Sequence, residues 1–88
     1  MTDEKKFDYK PFINYINNQD VFFVCDMLIY FNIKRTEPAS IEEHYVRFVI
    51  KASCVHGHIQ GCGKKGRNTQ YITISKIPLT INIFSKNL

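Results

Sequence analysis

Cys54, His56, His58 and Cys62 are the side chains closest to a metal-binding pattern in this chain. Zinc wants four sulfur or nitrogen ligands in a tetrahedron. On a continuous strand Cys54, His56 and His58 share one face, and a turn at Gly61 brings Cys62 back towards them. Three ligands on alternate strand positions nevertheless spread over roughly 13 Å, more than one ion spans without a bulge. The spacing C-x-H-x-H-x3-C matches no standard zinc signature, so the simpler expectation is no metal and no cofactor, with Cys54 in the core. His56 or His58 beside Cys62 or Tyr71 offers general acid–base chemistry. With no carboxylate nearby to orient a histidine, the expectation is a protein without catalytic residues.

Gly61-Cys62-Gly63-Lys64-Lys65-Gly66 formally reads GxGxxG. A dinucleotide site needs a βαβ unit and an acid about 20 residues later. Glu43 is the last acid in the chain, which excludes that use. What remains is a glycine-rich hairpin connection whose backbone can approach a phosphate, with Lys64, Lys65 and Arg67 supplying charge.

The charge distribution is the strongest signal. The net charge of +4 divides into −3 over residues 1–43, which hold all eight acids, and +7 over residues 44–88, which hold none. Either the acidic half folds against the basic half or a polyanion does. Tyr45, Arg47 and Lys51 fall on one face of an extended segment; Lys64, Lys65 and Arg67 follow on the loop, then Tyr71 and Lys76 on the returning segment. Such a face offers phosphate contacts from the cations and stacking surfaces from Tyr45 and Tyr71.

These residues need elements to hold them. The chain has 88 residues, 44% of them hydrophobic, enough for one small domain over 1–88 and too few for an elaborate enzyme. Residues 1–8 read as a charged, flexible end. Pro11 suits the first turn of a helix over about 10–18, with Phe12, Tyr15 and Ile16 on one side. The apolar run 21–33 reads as a buried helix, although its β-branched and aromatic content also suits one or two strands. Lys34–Ser40 is a linker. Ser40 and Glu43 fit a capping box for a helix from Ile41, but the period-two alternation over 45–54 argues more strongly for a half-buried strand. Tyr71–Lys76 and Leu79–Phe84 alternate again, separated by Pro78.

The expected fold is therefore a small α+β domain, a helical N-terminal part packed on a C-terminal three-stranded antiparallel sheet. A winged-helix-like layout is the alternative: helices near 10–18, 21–33 and 41–52 followed by a 71–84 hairpin, with the loop or third helix meeting DNA. The expected function is non-enzymatic binding of nucleic acid, or an accessory role in a nucleoprotein complex. The alternative is a protein-interaction module, dimeric or bound to an acidic protein surface, such as a small regulator or inhibitor of viral or mobile-element type. Abundant Ile and Asn, with nine Lys to three Arg, resemble the AT-rich coding bias of such sources. Three cysteines cannot all pair, and the first ten residues have no apolar leader segment, so the expected location is the cytoplasm or nucleus. The 13-residue run Val21–Ile33 carries Asp26 and Asn32, so no membrane partner is expected.

Overall fold

Each element of the computed structural model follows from local signals and burial together; residues 8–66 and 68–78 are the described part. Helix α1, Lys10–Asn17, begins with Pro in its first turn. Asp8 Oδ1 accepts a 3.1 Å hydrogen bond from the Lys10 amide just before it. Phe12, Ile13 and Ile16 form its buried side. Strand β1, Val21–Phe23, follows, and helix α2, Val24–Tyr30, starts directly from it. The run expected to be one helix over 21–33 is thus divided. Val21, Phe22 and Phe23 suit a strand, and pairing with a distant partner holds them extended.

Helix α2 ends in a Schellman motif. Asn32 takes φ +59°, its amide donates to Ile29 O, and the Ile33 amide donates to Leu28 O. Residues 31–40 then connect to the longest helix, α3, Ile41–Val55. This corrects the strand expected over 45–54. The apolar residues there fit both periods, but Val46, Val49, Ile50 and Ser53 recur at helical spacing and all are buried. Val49, which the strand pattern would turn to solvent, is 0% exposed. The N-cap half of the expected capping box decides the start: Ser40 Oγ accepts from the Glu43 amide at 3.2 Å, while the Glu43 carboxylate turns to Arg47 instead of back to the Ser40 amide. A second Schellman motif closes α3, with Gly57 at φ +81° and the His58 amide donating to Ser53 O.

The glycine-rich stretch expected as a loop is largely strand: β2, Ile59–Lys65, pairs antiparallel with β3, Asn68–Thr73. Gly66, at φ +63°, supplies the left-handed conformation where the chain turns back. Because β1 also pairs with β3, the sheet order is β1-β3-β2. The protein is a small α+β domain with three helices packed against a three-stranded antiparallel sheet. Its third strand comes from residues 21–23 rather than from the C-terminal half. Three helices followed by a hairpin is also the order of the winged-helix-like alternative, with the hairpin at 59–73 instead of 71–84. The strand expected over 79–84, and all but Asp8 of the flexible end over 1–8, lie outside the described residues.

The core joins all layers: Phe12, Ile13 and Ile16 of α1, Phe22 of β1, Met27 and Leu28 of α2, Val46, Val49 and Ile50 of α3, and Ile59 of β2. Ile77 closes it. The Asn17 amide clamps its backbone, accepting from Ile77 N at 2.8 Å and donating to Ile77 O at 2.9 Å.

Candidate nucleic-acid interface

Arg47 and Lys51 share a face after all, because a four-residue step on a helix returns to the same side. Tyr45 does not join them. It sits on the opposite flank of α3, half-buried, edge-on to the ring of Tyr9 at 6.1 Å and 85°. The grouping expected from strand alternation is therefore split by the helix.

Tyr71 lies beside Arg47 instead. A groove of about 220 Å³ separates α3 from the hairpin, lined by Arg35, Arg47 and Lys51 together with Cys54, Thr69 and Tyr71. Among the described residues no carboxylate lines it, although Arg35 and Arg47 also line an adjoining hollow with Glu37 and Glu43. Burial, with the neighbouring Cys54, pushes the Tyr71 hydroxyl above its ordinary range, and Arg47 works in the opposite direction. Burial likewise raises the Cys54 thiol. Both groups stay protonated at neutral pH, so neither offsets the positive charge of the groove.

Arg47 is held in place. Its Nε and Nη2 both donate to Glu43 Oε2, at 3.0 and 2.8 Å, one turn back on α3. Glu43 is only 4% exposed, and its other carboxylate oxygen, Oε1, is buried with no hydrogen-bond partner. The pair is the one ion pair among the described residues. Arg35, Lys51, Lys64 and Lys65 make no ion pair among the described residues.

The hairpin adds charge through a register shift. Gly61 pairs with Tyr71 and Gly63 with Gln70, leaving Cys62 as a bulge. Beyond it Lys64 lies opposite Thr69, and Lys65 opposite Asn68. Directly opposed residues share a face, so Lys64 joins the face of Thr69 and Tyr71 that looks onto the groove, and Lys65 the other. Simple alternation from Gly61 would have exchanged them. Asn68 anchors the hairpin end by accepting from the Cys25 amide at 2.9 Å.

Two expected contributors stand elsewhere. Lys76 donates from Nζ to Asn17 O at 3.0 Å, at the C-terminal end of α1. Arg67 lies outside the described residues. Arg35, which sequence reasoning assigned only to the linker, is the residue that was missed; Nη1 donates to Cys25 Sγ at 3.2 Å, and nothing local in the sequence signals that contact.

The zinc set is dispersed. Its alignment depended on a strand through residue 58, whereas Cys54 is in the last turn of α3, His56 caps that helix, His58 meets Ser75 Oγ at 3.0 Å and Cys62 is exposed on β2. Among the described residues no three His, Cys, Asp or Glu side chains are grouped to hold a metal ion. No described helix is long and apolar enough to cross a membrane. A larger, mostly apolar cleft of about 480 Å³ opens between α2 and residues 32–35 and shares Arg35 with the basic groove. No known protein family, curated protein or solved structure matches this chain.

Proposed function

We propose that the protein is a non-enzymatic nucleic-acid-binding protein, using α3 and the β2–β3 hairpin. One observation carries this reading: Arg35, Arg47 and Lys51, from two different segments, converge on one groove that no carboxylate of the described residues lines. Lys64 faces the same space from the hairpin and Lys65 extends the charge at its end. Glu43 pairs with Arg47, but Arg35 and Lys51 have no ion-pair partner among the described residues, and like charges brought together repel one another until a polyanion relieves that repulsion. Each phosphate neutralised releases condensed cations, so affinity should fall steeply with salt.

A labelled oligonucleotide followed by fluorescence anisotropy at rising salt tests this. A linear fall of log affinity with log salt, at a slope of about −3 to −4 for four contacts, is expected. Absence of binding at about 50 mM salt, where such contacts are strongest, contradicts the proposal.

The competing reading, a protein-interaction module, draws on Val21, Ile72 and Ile74, which are exposed on the far side of the sheet. A light-scattering mass with and without nucleic acid separates the two. A dimer indifferent to DNA and RNA favours the interaction module.

A further inference from the structure

We infer that the nucleic acid is double-stranded B-form DNA and that α3 enters its major groove. This rests on the nucleic-acid reading above and selects among its substrates.

The first observation concerns the aromatic rings. Single strands are held by bases stacked on free aromatic faces. Here the two tyrosines nearest the basic residues are already engaged. Tyr71 stacks on Phe22 at 5.8 Å and 29°, and Tyr45 meets Tyr9 edge-on. Tyr30 is 70% exposed, but it is on α2 and does not line the groove. The stacking role expected for Tyr45 and Tyr71 is thus given over to holding the fold.

The second observation is the outer side of α3. His44, Arg47, Lys51 and Val55 are all exposed and follow one another at steps of three, four and four residues, which makes one continuous stripe. The 15-residue helix is about 22 Å long at 1.5 Å per residue. A major groove of about 12 Å admits a helix of this kind, whereas the deep, narrow major groove of A-form RNA does not. The stripe carries the needed chemistry: cations for phosphates and guanine edges, a histidine, and at Val55, 73% exposed, an apolar group suited to a thymine methyl. Lys64 and Lys65, on the hairpin beside the helix, then meet the backbone at the rim.

The test compares a DNA duplex of about 20 base pairs, two helical turns, with its separate strands and with the RNA duplex of the same sequence. The DNA duplex should bind at least about tenfold tighter than either. Val55→Glu should weaken that binding about tenfold, and Ile74→Glu, the same charge change on the far side of the sheet, less than about twofold. Circular dichroism checks that both variants keep their helix content. Equal or tighter binding of a single strand or of the RNA duplex overturns the inference and leaves the nucleic-acid reading standing. Equal effects of the two substitutions overturn insertion of α3. Failure to bind any of the three overturns the nucleic-acid reading itself.

Discussion

The two faces of the sheet are built on one ladder yet carry different chemistry. Phe22, Thr69, Tyr71 and Lys64 occupy the face turned to α3, where the ring pair is covered and the polar edge opens onto Arg47 and Lys51. Val21 and Ile72 are partners on the other face, and Ile74 follows them, all exposed. A few exposed apolar side chains at a surface are ordinary. Three converging cations with a single paired carboxylate, Glu43, among the described residues are less so, because their repulsion disfavours the compact state. The proposed function places the working face on the side marked by charge rather than on the side with exposed apolar area.

The comparison breaks most visibly on charge reversal. Lys51→Glu combined with Lys64→Glu should lower duplex affinity about 100-fold at low salt and make the salt slope shallower by about two. Val21→Ser with Ile72→Thr should leave affinity unchanged within about twofold, since surface substitutions there remove no phosphate contact. Anisotropy titrations of both variants measure the contrast; similar losses in the two would erase it.

Within the groove, Arg47 and Lys51 differ in a way that stability resolves. Arg47→Met leaves the Glu43 carboxylate buried without its partner, and urea unfolding should show a loss of about 1–3 kcal/mol. Lys51 makes no comparable contact, so Lys51→Met should change stability by less than about 0.5 kcal/mol. Equal effects would mean that Glu43 does not depend on Arg47.

Alkaline pH acts on the partly buried tyrosines. Tyr9, Tyr15 and Tyr71 are each raised above 10.0, chiefly by burial. The folded protein keeps these protons where the unfolded chain releases them. Their contribution is therefore intact below pH 10.0 and is lost as pH rises through the folded values. Unfolding free energy should fall above that pH, and Tyr71→Phe should flatten part of the fall; a flat profile contradicts the burial of these rings. The smallest contrast is between neighbours on the hairpin. Lys64→Gln should weaken binding about two- to threefold more than Lys65→Gln, because only Lys64 shares the face of Tyr71.

How much of this was legible follows from where each determinant lies along the chain. Pro11 announced α1, and Ser40 with Glu43 announced α3, because both signals act within one turn of the residues they control. The run 45–54 misled because Val46 and Ile50 satisfy both a period of two and a helical period. Only tertiary burial of Val49 and Ser53 separates the two. Strand β1 was obscured for the opposite reason: three residues hold no periodicity, and the partner of Val21, Ile72, is half the chain away. In the candidate site Arg47 and Lys51 were paired correctly on a mistaken element. Tyr45 was lost with that element, Lys64 was turned by a bulge at Cys62, and Arg35 was invisible because the connection from 31 to 40 carries it to the groove.

On the proposed function, one face of the molecule meets the polyanion. Amide chemical shifts of the isotope-labelled protein, recorded during titration with a DNA duplex, test it most directly. Perturbations are expected to concentrate at His44, Arg47, Lys51, Val55, Lys64, Thr69 and Tyr71, with Val21, Ile72 and Ile74 nearly silent. Shifts centred on Val21, Ile72 and Ile74, or none at saturating duplex, would contradict it.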